Sequence, residues 1–183
     1  PDSSVFIKTD NEGTILWEKK YDLSGFTEEM TSGIFTSDSF FVAVGVDYID
    51  GTDETGADLV VIKLDENGDS LWTKRFGGDY HEYSETIIET FNGNYLISGY
   101  TKSYGEGDAD AWLLLIDSNG DSLWSKTYGT VGVDKAYSVV QFLDGSFVFC
   151  GQWNSMPLIA KTNYAEIVDY SGPVWYVATT GSN

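Results

Sequence analysis

One cysteine, three prolines, one histidine and ten basic residues are all that the 183 positions of this chain supply of those types. A single cysteine, Cys150, excludes an intrachain disulfide framework. Its place in the apolar run SFVFCGQW reads as a small buried hydrophobe rather than a reactive thiol. No stretch reaches the roughly 18 consecutive apolar residues that a membrane helix needs, and no signal peptide is recognisable. Ten bases stand against 29 acids, for a net charge of −19. Nucleic acid and anionic membranes both need a basic face, so neither is expected as a partner. The acidity suits solubility outside a cell or in salt, and it also supplies acidic loops. Helical periodicity is missing too: no run shows an N-cap followed by an i, i+3, i+4 apolar face.

What is present is aromatic, glycine-rich and repetitive. Hydrophobic residues make up 42% and aromatics 15%, with 20 glycines, a mixture that suits many short strands joined by tight turns. The segment DLVVIKLDENGDSLWTKRFGG from Asp58 returns as DAWLLLIDSNGDSLWSKTYG from Asp110 and, more diverged, as SVFIKTDNEGTILWEKKYD from Ser4. Trp17, Trp72 and Trp124 recur in phase, as do Gly13, Gly68 and Gly120, and a second set, Gly45, Gly99 and Gly151. A repeat of roughly fifty residues with a fixed Trp and Gly marks propellers and solenoids.

Each period contains four short runs. In the third copy they are AWLLLID, DSLWSKTYG, AYSVVQFLD and SFVFCGQW, split by Asn119-Gly120 and Asp144-Gly145. Asn-Gly and Asp-Gly favour positive φ and close tight hairpins, which gives an all-β meander. AWLLLI and SFVFC are apolar on both faces, as expected of strands in a sheet covered by neighbours on each side. Four-stranded antiparallel blades stacked around an axis meet that need, and a recurring Trp at fixed phase reads as packing between them.

The string LDENGDSLW, with its counterpart IDSNGDSLW, resembles the turn-plus-tryptophan docking element of quinoprotein-type propellers. The larger pattern DxWxxxxDxxGxxxWxxxYGG, followed by an acid and then dGxfxxxG, is similar to a repeat of large secreted bacterial proteins of Bacteroidota-like lineages. The resemblance covers about residues 4–162 and implies a β-propeller fold and an extracellular or cell-surface location. No residues match a quinone site, so no cofactor is carried over. In that phase blades start near Ser32, Thr86 and Ser138. The chain then holds one half blade, two complete blades and the opening of a fourth at Leu158-Ile159-Ala160-Lys161, a partial ring of about three to three and a half blades. As domains, residues 1–162 are propeller repeats, with copies 4–57, 58–109 and 110–157 and a partial one from 158. Residues 163–183 are terminal strands or a linker into a following domain. There VWYVATTGSN resembles the opening strand of secreted parallel β-helix domains, and a closing strand that pairs back into a blade is the alternative. The chain reads as a fragment, or processed piece, of something longer.

The candidate sites follow from where acids gather. Asp65-x-Asn67-x-Asp69 and Asp117-x-Asn119-x-Asp121 have the first oxygen spacings of a calcium loop. They lack its Gly and its final Glu, and a hairpin turn explains them. The loop with Asp47, Asp50, Asp53 and Glu54, and its counterpart with Glu106 and Asp108, suits calcium better, because hard cations want several carboxylates on oxygen-rich loops. Calcium is thus the ion that these acidic loops would suit, with no other cofactor expected. Asp58 and Asp110 recur in phase and read as turn formers. Glu28, Glu82 and Asp134 recur too, each followed four residues later by Ser32, Thr86 or Ser138, as a carboxylate–hydroxyl bond in every blade would require. A catalytic residue should break the repeat. His81 does so, beside Asp79 and Glu82, as a general base or metal ligand, or simply as a loop residue. Tyr80, Tyr83, Tyr100, Tyr104, Trp112 and Trp153 could line a glycan or peptide surface, although most fall in strands.

Two functions follow. One is a non-catalytic extracellular module, a scaffold or interaction platform of a larger secreted or surface protein, whose ring is completed by other chains or missing blades. The other is a carbohydrate-binding or carbohydrate-active propeller, which would need two or three carboxylates converging at one end of the ring.

Overall fold

The structure, a computed structural model, describes residues 4–22, 28–48 and 56–162. Among them there are thirteen strands and no helix. The strands form four antiparallel meanders in chain order. The first sheet holds β1 (Ser4–Thr9) and β2 (Ile15–Tyr21). The second holds β3 (Glu28–Phe35), β4 (Phe41–Tyr48), β5 (Ala57–Leu64) and β6 (Ser70–Phe76). The third holds β7 (Glu82–Glu89), β8 (Tyr95–Thr101), β9 (Asp110–Ile116) and β10 (Ser122–Tyr128). The fourth holds β11 (Asp134–Gln141), β12 (Phe147–Trp153) and β13 (Met156–Lys161). These are propeller-type blades, and among the described residues they do not close into a ring. The 158–161 run is the third strand of a sheet that opens at Asp134, not the opening of a new one. Each sequence copy is therefore offset from the sheets: the copy from Asp58 supplies the outer half of the second sheet and the inner half of the third.

The second glycine set has a backbone reason. The pairing of the first and second strands of the second, third and fourth sheets slips at Met30/Ser32, Ser84/Thr86 and Ala136/Ser138, a bulge at the same place each time. Gly45, Gly99 and Gly151 lie opposite these bulges. A Cβ there would sit 2.2 Å from the Glu29 carbonyl oxygen, and 1.9 Å from those of Tyr83 and Lys135. No side chain fits such an approach. Near the predicted blade starts, Ser32, Thr86 and Ser138 sit just past the bulges rather than at strand beginnings.

The turn glycines and tryptophans work between sheets. A Cβ on Gly68 would meet the Trp17 ring at 2.9 Å, and one on Gly120 would meet Trp72 at 3.1 Å. The outer strand of one sheet thus lays its Trp on the outer turn of the next. The Trp17 indole donates to the Glu66 carbonyl at 3.1 Å, and Lys19–Asp69 (2.7 Å) and Lys74–Asp121 (3.0 Å) flank the two contacts. Trp124 packs into the fourth sheet, its ring 6.0 Å from that of Phe147. Gly13 closes the first hairpin at a φ of 86°.

Packing between sheets makes the core. Val42, Val44, Leu59 and Val61 of the second sheet meet Ile87, Tyr95, Ile97, Trp112, Leu114 and Ile116 of the third. Leu96, Leu113 and Leu115 on its opposite face meet Val139, Phe147 and Phe149 of the fourth. Strand β9 is consequently buried along its whole length, each large side chain contributing roughly 1.5–3 kcal/mol. Strand β12 departs from the expectation drawn from SFVFC. Phe147 and Phe149 point inward, whereas Cys150 is exposed, because no described sheet covers the far side of the last blade.

Candidate functional site

Antiparallel meanders sort their connections. The tight turns at 10–14, 36–40, 65–69, 90–94, 117–121 and 142–146 lie at one end of the sheets. The loops from second to third strand, and the links from one sheet to the next, lie at the other. At that second end the links bind the loops of the preceding blade: Ala57 bridges His81 and Ala109 bridges Val133. The Asp134 amide donates to the Ala109 carbonyl at 2.7 Å, and the Lys102 amide donates to that of His81 at 2.8 Å.

The same end gathers carboxylates that are buried or partly buried. Asp58 opens β5 and Glu82 opens β7, and both reach Gly77, the first residue past β6. A Cβ on Gly77 would lie 1.9 Å from Asp58 Oδ1 and 2.8 Å from Glu82 Oε2. One blade on, a Cβ on Gly129 would lie 1.8 Å from Asp110 Oδ1 and 3.0 Å from Asp134 Oδ2. Glu82 and Asp134 are fully buried and well supplied with donors. Glu82 accepts from the Thr101 hydroxyl at 2.6 Å, the Gly78 amide at 2.8 Å and the Ser103 amide at 3.3 Å. Asp134 accepts from the Thr130 amide at 2.6 Å and the Asn154 amide at 2.7 Å. Each acid thus holds the entry to its own blade.

The hydroxyl partner differs from the expected one. Glu82 uses Thr101 across the strand pair, not Thr86, which donates to the Tyr137 carbonyl of the next sheet at 3.0 Å. Ser32 likewise accepts from the Ile87 amide of the third sheet at 3.4 Å. A residue four places along the inner strand points at the neighbouring blade, out of reach of its own acid. The Glu28 side chain lies outside the described residues.

The second sheet adds a charged pair that the third lacks. Asp47 is 1% exposed, and its Oδ2 accepts from Arg75 Nε at 2.5 Å; among the described residues its Oδ1 has no hydrogen-bond partner. Register places Asp47 opposite Asp58. Burial first, then the Glu82 and Asp47 carboxylates, push the Asp58 carboxyl above its ordinary range, with Arg75 partly offsetting them. The Tyr104 hydroxyl donates to the Gly77 carbonyl at 2.6 Å and closes the cluster, its own titration raised by burial and by these acids.

The predicted calcium ligands divide accordingly. Asp47 is committed to Arg75, while Glu106 and Asp108 are exposed. Asp50, Asp53 and Glu54 lie outside the described residues. Among the described residues no group of three or more His, Cys, Asp or Glu is placed to hold a metal ion. The hairpin acids are consumed by their own turns. Asp65 Oδ1 accepts from the amides of Asp69 at 2.8 Å and Asn67 at 2.9 Å; Asp10 and Asp117 repeat this, and those bonds hold all three carboxyls below the ordinary range.

His81 stacks on Tyr83 at 5.9 Å, and Tyr83 on Tyr100 at 4.7 Å, with the Lys135 ammonium 3.9 Å from the Tyr100 ring centre. The Glu82 oxygens are bonded to Thr101, Gly78 and Ser103. Trp112 is buried, its indole bonded to the Ser125 hydroxyl at 2.6 Å, while Tyr80 stands exposed and Trp153 pairs with Asp134 across β11 and β12.

Two polar features escaped the sequence reading. Arg75 is the only arginine in the chain, a signal that could have led to Asp47. Lys63 is buried at the turn end, donating to the Tyr95 hydroxyl at 2.9 Å across two sheets and lying 4.4 Å from the centre of the Phe40 ring. Nothing in VVIKLD marks that lysine as interior.

Fold and site together define an open, propeller-type repeat protein. No protein-family model matches the chain, and no curated protein matches it. Among the described residues no helix is long and apolar enough to cross a membrane.

Proposed function

We propose that the chain is a non-catalytic repeat module, a scaffold or interaction platform within a larger secreted or surface assembly. The observation that carries this reading is the pair of unfinished sheets. Two complete four-stranded blades are flanked by sheets of two and three described strands, so the arc offers strand edges and apolar faces for further blades or chains to cover. Val5, Ile7, Val140 and Ile159 on those outer sheets are each half exposed or more.

The buried acids support the same reading. A carbohydrate-active site needs converging carboxylates, and Asp58 and Glu82 do converge. Glu82 is held by backbone donors and a cross-strand hydroxyl, and the Asp110–Asp134 pair recurs in the same place, as a structural clamp would. The test is a panel of neutral and acidic polysaccharides assayed for binding and hydrolysis with the chain and with Asp58→Asn. No turnover is the expected result. Turnover that Asp58→Asn abolishes would replace the reading with a glycosidase. Titration with calcium by calorimetry tests the acidic loops independently.

A further inference from the structure

The first sheet lacks, among the described residues, the inner hairpin that every other sheet has. Strand β1 corresponds in the repeat to β5 and β9. Strand β5 pairs with β4 on its inner side and β9 pairs with β8, whereas β1 pairs only with β2. Where that hairpin would lie there is a groove of about 550 Å³. Its walls are Val5, Phe6 and Ile7 of β1 on one side and Met30, Gly33 and Phe35 of β3 on the other.

We infer that this groove is the seat of an antiparallel β-hairpin carrying the repeat's own inner-strand pattern, which docks by strand addition to β1. The inference rests on the reading of the chain as an open arc. What fills the two complete junctions defines the occupant. At the second-to-third junction the inner hairpin β3–β4 presents Ile34, Val42 and Val44 to the next sheet; at the following junction β7–β8 presents Ile88 and Leu96. At the first junction nothing among the described residues plays this part, and the buried core there is Phe6, Ala43, Ile62 and Leu64.

The far wall sets the size of the side chains required. Ile87, Tyr95 and Ile97 in the third sheet, and Val139, Phe147 and Phe149 in the fourth, are large. Their counterparts in the second sheet are Gly33, Phe41 and Ala43. The docking strands must therefore carry larger groups opposite Gly33 and Ala43 than the Val, Ile and Leu used elsewhere, because an unfilled apolar space forfeits its contacts. Their second strand runs antiparallel to β1 and bonds its open edge, so main-chain hydrogen bonds give affinity and side-chain size gives selection. A second copy of this chain is a poor donor. Each inner hairpin it contains, β3–β4, β7–β8 and β11–β12, already carries a third strand in the place β1 would take.

The experiment supplies the missing element from the protein itself. A second copy of residues 82–109, which spans β7, β8 and the natural loop into β9, is fused ahead of Ser3, and amide exchange is followed in β1 and in the native β9. Exchange in β1 should slow by about tenfold or more, with β9 unchanged. Replacing Ile88→Asp and Leu96→Asp in the added copy alone should abolish that protection. The same segment added in trans as a synthetic peptide to the unaltered chain should protect the same amides, more strongly when its Leu96 is enlarged to Phe. Unchanged β1 exchange in both formats, with β9 still protected, overturns the inference. So does equal protection by the Asp-bearing copy, and so does a stable dimer of the unaltered chain in which β1 is already protected, since the groove would then belong to a second copy. None of these outcomes bears on the polysaccharide assay, so the hairpin and the non-catalytic reading fail separately.

Discussion

The two blade-to-blade junctions on the acidic end share one device and differ in one pair. Between the second and third sheets, Asp58 and Glu82 close on Gly77; between the third and fourth, Asp110 and Asp134 close on Gly129. The second-to-third junction alone of these two adds Asp47 and Arg75, where the third sheet has Thr101 and Thr127 in the same repeat positions. What recurs belongs to the fold: an acid at the start of a third strand and another at the start of the next blade hold the backbone that passes between them. What does not recur is an addition that one blade carries alone. It brings a third carboxylate beside Asp58 and needs a cation to offset it.

The sharpest way to break the shared device is to fill the space the carboxylates leave for the chain. Gly77→Ala and Gly129→Ala both drive a methyl group into an aspartate oxygen, and each should cost about 2–3 kcal/mol. Urea midpoints for the two variants should fall by similar amounts. A large cost at one glycine and none at the other would show that the two junctions are not the same structure.

The unshared pair is next in size. Arg75→Thr leaves Asp47 buried without its cation. Fully buried pairs lose about 3–5 kcal/mol when broken this way. The Arg75 side chain is 38% exposed, so solvent screening reduces the expected loss to about 2 kcal/mol. Adding Asp47→Thr makes the junction resemble its neighbour and should restore most of the stability, a rescue that a double-mutant cycle measures directly. If the double variant is as unstable as the single, Arg75 acts through packing and not through Asp47.

The contrast also marks how much was legible beforehand. Period, Gly turns and Trp phase predict four-stranded antiparallel blades because those residues obey local rules: Asn-Gly closes a hairpin wherever it stands, and a Trp at fixed phase meets the same neighbour in each blade. The carboxylate clamps were half legible. Asp58, Asp110, Glu82 and Asp134 announced themselves by recurring, but their pairing crosses blades, and no spacing along one strand reveals a contact made between sheets. That is why Thr86, on the same strand as Glu82, was paired with it in place of Thr101 across the ladder. Cys150 is exposed for a related reason: burial on both faces requires a following sheet, which an apolar run cannot announce.

Acidity should sharpen the comparison further. The Asp58 carboxyl titrates above its unfolded value of about 3.9. Between those two values the folded chain holds a proton that the unfolded chain has released. The contribution is therefore fully present below the unfolded value, declines as pH rises, and is gone above the folded one. Glu85, raised by burial, adds a slope of the same sign. Asp58→Asn should remove only the part due to the crowded junction, leaving the Glu85 part. Denaturation midpoints taken from pH 4 to pH 7 should then fall less steeply in the variant, while an unchanged profile would mean that the Asp58 carboxyl is not raised in the folded chain.

The smallest expected effect lies at the opposite end of the same sheets, where the inner turns can be compared in the same way. The third and fourth sheets turn at Gly93 and Gly145, with φ of 75° and 81°. The second turns at Ser39 with a φ of 70°, a left-handed backbone that a residue with a Cβ adopts only at a cost. The Ser39 amide donates to the Thr36 carbonyl at 3.0 Å, a bond that any residue keeps. Ser39→Gly thus removes strain without removing that contact, at the expense of some added freedom in the unfolded chain. A net gain of about 0.5–1 kcal/mol is expected, read as a raised urea midpoint with an unchanged slope. Because the substitution copies what the other two turns already have, a loss of stability would mean that the Ser39 side chain supports this turn in a way its neighbours do not need.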